Sequence, residues 1–135
     1  FKAWAPKLYR YYEDHLNSLF QRMPWLRRIF NCGIFTTAAF NFGPKVSTFK
    51  HRDFSNLPFG FCGIQALGRF NPKTGGQIIL WEARTVVDFP PASLIFIPSA
   101  TITHSNCQIA DHEERASFTQ YCPGGLFRWV DYDFQ

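Results

Sequence analysis

No run of the chain approaches the ~20 consecutive apolar residues that a membrane-crossing helix requires. Lys2, Lys7 and Arg10 interrupt the amino-terminal stretch where a signal peptide would carry its apolar core. A soluble, unsecreted, intracellular chain is expected. Cysteine is sparse, and Cys32, Cys62, Cys107 and Cys122 are scattered without a CxxC pair. That spacing excludes a disulfide scaffold and argues against a Cys₄ zinc site, whose ligands come in close pairs. Buried free thiols are the expectation. Repeats and low-complexity tracts are also missing.

Apolar residues are plentiful: 46% of the chain is hydrophobic and 19% aromatic, with 16 Phe alone. This excludes a disordered tail and predicts a dense core filled with rings. At 135 residues the chain fits one domain, 1–135, built as a helical preface over 1–30 and a β core over 34–131. Because Phe1 is not an initiator methionine and the chain stops abruptly at Gln135, a fragment of a longer protein is expected.

The formal charge is +4 and unevenly placed. Up to Arg28 there are six basic residues against Glu13 and Asp14, while eight of each sign follow. A basic preface is compatible with a polyanion such as DNA, and equally with a solvated helix face.

Pro6, with Leu8, Tyr12, Leu16, Leu19 and Met23 recurring every three or four residues, predicts one amphipathic helix ending at Pro24. A further helical turn is read over 25–30. Beyond it come short segments rich in Phe, Ile, Val and Thr, which predict strands over 34–42, 46–51, 61–70, 77–81, 85–89, 93–97, 102–104, 115–122 and 127–131. Gly43-Pro44, Leu57-Pro58, Asn71-Pro72, Pro90-Pro91 and Pro123-Gly124-Gly125 punctuate them. Short strands so spaced suggest a mainly β jelly-roll, or double-stranded β-helix, with a cavity between two sheets. The immunoglobulin-like alternative lacks its Cys, Trp, Cys spacing.

His51 and Asp53, two apart at a strand end, leave the same face, and His104 follows the apolar run Leu94 to Pro98. Two imidazoles and one carboxylate form the facial triad of non-haem Fe(II), with open positions for other ligands. Arg115, and Ser117 two residues on, would suit a carboxylate held at fixed distance from the metal. They would equally suit a surface ion pair with Glu113 or Glu114. Arg52, Phe54 and Asn56 lie on a loop that could face substrate. His15 and His112 are read as solvated side chains, and Phe59, Phe61, Trp81, Phe127 and Trp129 mainly as core.

With these motifs in order, the chain resembles the Fe(II)/2-oxoglutarate-dependent dioxygenase superfamily. The pattern reads His51-Arg52-Asp53, Gly75-Gly76 into Gln77-Ile78-Ile79-Leu80, Pro90-Pro91 to Pro98, His104, and Arg115-Ala116-Ser117. More narrowly it is similar to the TET/JBP-like dioxygenases of mushroom-type fungi, relatives of enzymes that oxidise 5-methylcytosine or thymine. Phe40-Asn41-Phe42-Gly43-Pro44, Leu57-Pro58-Phe59-Gly60, His104-Ser105-Asn106 and Ser117 to Tyr121 carry that likeness, with Gly124 to Asp131. The resemblance implies Fe(II) on His51, Asp53 and His104, and 2-oxoglutarate paired with Arg115 and assisted by Ser117. Asn41 would donate to the cosubstrate, unless it is an ordinary strand-end amide. O₂ is the implied co-reactant, and DNA in a nuclear compartment the implied partner. Two other readings stay open: a dioxygenase hydroxylating a protein side chain or small molecule, and a non-catalytic jelly-roll that binds a partner. Oligomeric state leaves no trace in the sequence.

Overall fold

A computed structural model describes residues 1–135. It has the expected mainly β architecture. Helix α1, Pro6–Arg22, opens the chain and buries Tyr12, Leu16 and Leu19, the apolar positions of the predicted stripe. Residues 25–30 turn without forming a helix. The strands are β1 (Thr37–Asn41), β2 (Cys62–Arg69), β3 (Ile78–Leu80), β4 (Thr85–Val87), β5 (Leu94–Ile97), β6 (His104–Asn106) and β7 (Glu114–Tyr121), followed by helix α2 (Gly124–Asp131).

All ladders are antiparallel, in a four-stranded sheet ordered β1-β7-β2-β5 and a three-stranded sheet ordered β4-β3-β6. Both sheets contribute to one cavity: Ala39, Ile64 and Thr119 from the larger, Ile78, His104 and Asn106 from the smaller. This is the double-stranded β-helix the strand spacing predicts. No helix is long and apolar enough to cross a membrane. Cys62 and Cys122 are buried free thiols, whereas Cys32 is exposed.

Two expected strands differ. Residues 46–51 form no ladder, although they are stitched at both ends. Val46 N–H donates to Arg115 O at 3.0 Å beside β7, and His51 exchanges backbone hydrogen bonds with His104 at the start of β6 (3.1 and 2.9 Å). The segment passes from one sheet to the other, so neither can pair with it along its length. Residues 127–131, expected as a strand, lie in α2. There Leu126, Phe127 and Val130 share a helical face against Leu16 and Leu19 of α1.

Two cores result. Under α1 and α2, Tyr12, Leu16, Leu19, Ile34, Phe35, Leu57, Cys122 and Phe127 pack together. Tyr12 Oη receives the Phe61 N–H at 3.1 Å, and a Cβ at Gly60 would meet that oxygen at 2.2 Å, so only glycine lets α1 dock so closely. The second core, Ala66, Phe70, Ile78 and Phe89, fills the space between the sheets at the far end. Phe127, 2% exposed, rests 5.0 Å from Tyr12 and 5.6 Å from Tyr11, centroid to centroid. Phe127→Ala is expected to cost about 3–5 kcal/mol by emptying this contact. Thermal or urea denaturation checks it.

Candidate metal centre

His51, Asp53 and His104 meet at one point of the cavity, where one ligand atom from each lies within 4.8 Å of the others. Two local devices bring them there. His51 and His104 face each other across an isolated antiparallel bridge, with ring centroids 4.3 Å apart. Asp53 opens a turn, its N–H donating to Ser99 O at 2.9 Å while its carbonyl accepts from Asn56 N–H at 2.9 Å. The Asp53 Oδ1 to His51 Nε2 distance is 3.6 Å, near the roughly 3 Å that separates adjacent ligands each ~2.1 Å from one ion. His104 begins β6 instead of ending a strand over 102–104.

Both rings are oriented by backbone. His51 Nδ1 lies 2.7 Å from Phe49 O and His104 Nδ1 lies 3.0 Å from Ile102 O. A carbonyl only accepts, so each Nδ1 carries the proton and each Nε2 keeps a lone pair for a metal. His104 is buried, and desolvation holds its pKa below the ordinary imidazole value, with His51 adding to the effect. The neutral ring it favours is the ligand form. Cys62 stands behind the site, but burial pushes its thiol up to about 11, so it offers no thiolate.

Asn41 and Ser117 pair across β1 and β7, and Asn41 Nδ2 donates to Ser117 Oγ at 3.0 Å. Both line the cavity, as do Thr119 and Tyr121 farther along β7. Arg115 occupies the next inward position of that strand face and is 1% exposed. Its Nη1 donates to Val46 O at 2.9 Å, and its carbon Cζ sits 5.9 Å from the Phe70 ring centroid. Nε and Nη2 have no partner although both are buried. An unpartnered buried guanidinium is costly, and an anion with two oxygens would satisfy it. The backbone opposite is unusual too. Gly68, the register partner of Arg115, has φ +116°, and a Cβ there would meet Glu114 O at 2.2 Å. No other residue could sit there unstrained.

The loop residues divide. Phe54 lines the cavity and is 81% exposed, with its ring free at the mouth. Phe59 instead packs edge-on against Tyr11. Asn56 reaches inward to the protein, donating to Asp53 Oδ2 at 3.4 Å and Ser99 Oγ at 3.1 Å. Arg52 spends its guanidinium on Thr103 and Glu82. Its side chain is engaged by these partners while the residue also lines the cavity. Glu82, held down to about 2 chiefly by the Thr103 hydroxyl, has no signal in the sequence. Nor has Ser99, or the Thr48–Asn106 hydrogen bond of 2.8 Å on the cavity wall.

The cavity measures about 550 Å³ and most of its lining residues are polar. That is within the range of small-molecule sites and leaves room for two ligands side by side. No residue of α1 lines it, so the basic preface does not form its rim.

No protein-family model and no curated protein matches the chain. Among solved structures, NgTET1, described in complex with 5mC DNA, superposes with a TM-score of 0.61 at 19% identity, over 90% of this chain and 49% of that one. The chain thus spans about half that protein's length. A viral collagen prolyl hydroxylase from Paramecium Bursaria Chlorella virus-1, described in its 2OG complex, matches at TM-score 0.43 and 11% identity. That match covers 80% of this chain and 68% of the other, and its overlap is too loose to guide interpretation. What the first likeness shows is the fold: the double-stranded β-helix of this chain is the one found in NgTET1.

Proposed function

We propose that this chain is the catalytic domain of an Fe(II)/2-oxoglutarate-dependent dioxygenase of the TET/JBP-like kind, acting on a methylated base in DNA. One observation carries the cofactor assignment. The His51, Asp53, His104 cluster lines the cavity with Asn41 and Ser117, and Arg115, two residues before Ser117 on β7 and outside the cavity lining itself, buries a guanidinium with two unpartnered nitrogens.

His51 and His104 would hold the iron through Nε2 and Asp53 through a carboxylate oxygen. Hard oxygen and imidazole donors with no thiolate suit Fe(II). Arg115 would pair with the far carboxylate of 2-oxoglutarate, fixing the length of the bound cosubstrate, while Ser117 and Asn41 offer it hydrogen bonds. When bound, the iron, 2-oxoglutarate and O₂ supply the oxidation of a substrate C–H bond, coupled to release of succinate and CO₂. The chain's residues orient these groups and line the cavity that holds them.

Two observations support a base as substrate. NgTET1, which shares the fold, is described with 5mC DNA. The exposed Phe54 ring stands at the cavity mouth directly after the ligand motif, where a base flipped out of its duplex could stack on it. Incubation with Fe(II), 2-oxoglutarate and methylated, unmethylated or no DNA tests both levels. Succinate release stimulated by methylated DNA is expected, together with hydroxymethyl, formyl or carboxyl cytosine by nucleoside mass analysis. Succinate without any base product would keep the dioxygenase and remove the DNA substrate. No iron-dependent succinate under any condition would remove both.

A further inference from the structure

The two ligand histidines line the cavity together with Arg52 and Ser105, while Lys50 and Thr103 lie outside its lining. These four neighbours of the histidines meet one turn. Residues 81–84 join β3 to β4, and the Glu82 carboxylate accepts from Thr103 N–H at 2.8 Å, Thr103 Oγ1 at 2.5 Å and Arg52 Nη2 at 3.0 Å. Arg52 Nε donates to Thr103 Oγ1 at 2.9 Å, closing the ring of contacts. Next to it, Trp81 Nε1 donates to Ser105 Oγ at 3.1 Å, and Lys50 Nζ lies 4.2 Å from the Trp81 ring centroid. Trp81 N–H also donates to Thr103 O at 3.0 Å.

Lys50 and Arg52 flank His51, and Thr103 and Ser105 flank His104. Two consecutive residues of one turn therefore grip both neighbours of both histidines. The grip matters most at His51, because residues 46–51 form no ladder and only the bridge to His104 holds that ring's backbone. Neither Trp81 nor Glu82 lines the cavity.

We propose that Trp81 and Glu82 are positioning residues of the metal centre, holding His51 and His104 at ligand separation without touching metal, cosubstrate or substrate. This rests on the reading of His51, Asp53 and His104 as metal ligands. A purely scaffolding turn would act differently. The Arg52–Glu82 pair is half exposed on both sides, and such a pair adds little to global stability. The clamp therefore affects metal affinity far more than the melting temperature of the metal-free chain.

Co(II), which binds such sites and reports coordination geometry in its visible spectrum, is the probe. It is titrated into the full chain and into Glu82→Gln, Glu82→Asp, Trp81→Phe and His51→Ala. Glutamine cannot accept all three donors, and Glu82→Gln is expected to weaken Co(II) binding roughly 10–100-fold, as loss of an outer-shell partner does. Its spectrum should shift while the metal-free melting temperature stays close to the parent's. Glu82→Asp should recover part of the loss. Trp81→Phe, which keeps a ring under Lys50 but loses the bond to Ser105, should show a smaller one. Unchanged Co(II) affinity and spectrum in Glu82→Gln would reduce the turn to scaffold. If that variant does not fold, unchanged affinity and spectrum in Trp81→Phe would overturn the proposal equally. No Co(II) binding by the parent, or binding indifferent to His51→Ala, would remove the metal reading and the clamp with it.

Discussion

His104→Ala is expected to abolish iron-dependent succinate release, with a loss larger than the ~10–100-fold that follows removal of a mere outer-shell partner. Of the three ligands His104 is the most enclosed, 5% exposed as a residue, against side-chain exposures of 39% for His51 and 32% for Asp53. Its ring is fixed by the Ile102 carbonyl and its backbone by β3 and the bridge to His51. Losing it leaves two partly solvated donors, which hold a divalent ion weakly because water competes for both. Folding should survive. The orphaned Ile102 carbonyl and the space left by the ring cost about 1–3 kcal/mol, a normal penalty for one buried polar partner. Co(II) titration separates these effects: binding should vanish while the circular dichroism spectrum is retained. A variant that keeps metal affinity would show that the ion, if any, sits elsewhere.

The parts of this site legible in the sequence are those set by alternation or by adjacency. Arg115 and Ser117 share a face of β7 because they are two residues apart, and the two-residue spacing of His51 and Asp53 keeps them close although a turn, not a strand, places Asp53. His104 could be paired with them only by ligand chemistry and the family pattern, since its meeting with His51 is a long-range bridge. Glu82 was illegible for the same reason taken further. An acidic residue after a tryptophan in a turn means nothing until that turn closes over Thr103 and Arg52. Arg52 and Asn56 show what adjacency leaves out, since both line the cavity as expected beside a ligand motif, yet each also makes hydrogen bonds within the protein that the sequence does not announce.

The fold follows similar logic. α1 and six of the seven strands announce themselves through period and punctuation, because each extends long enough, or is bounded sharply enough, to show it, whereas β6, expected over 102–104, runs His104–Asn106. Residues 127–131 do not announce their conformation. Phe, Trp and Val favour strands locally, and five residues are too few to display a helical period. Burial of Phe127 against Tyr11, Tyr12 and Leu16 decides the conformation instead. Residues 46–51 carry a strand's composition but change sheets midway, and what they give up in ladder bonds places His51 opposite His104.

Arg115→Met is expected to separate stability from cosubstrate binding. Methionine keeps much of the length and apolar stem while removing a charge whose Nε and Nη2 find no partner in the protein. The ligand-free variant should melt at or above the parent's temperature, even though the 2.9 Å bond to Val46 O is lost, because desolvating an unsatisfied guanidinium costs more than that bond returns. With 2-oxoglutarate the order reverses. A cosubstrate at a hundred times its dissociation constant stabilises its binding partner by about 2.7 kcal/mol, and the variant should lose most of that increment. Truncating one member of a buried charge pair costs about 2–5 kcal/mol, so the apparent affinity for 2-oxoglutarate should fall by a factor of roughly 30 to 5000. Arg115→Lys should fall between, because an ammonium supplies charge without the planar fork. Metal binding, carried by other residues, should hold in both variants. Melting curves with and without 2-oxoglutarate, read beside Co(II) titrations, test each statement separately. A ligand-free Arg115→Met that unfolds many degrees early would make the guanidinium a structural strut against Phe70 and Val46. Unchanged 2-oxoglutarate affinity would move the far carboxylate to another donor.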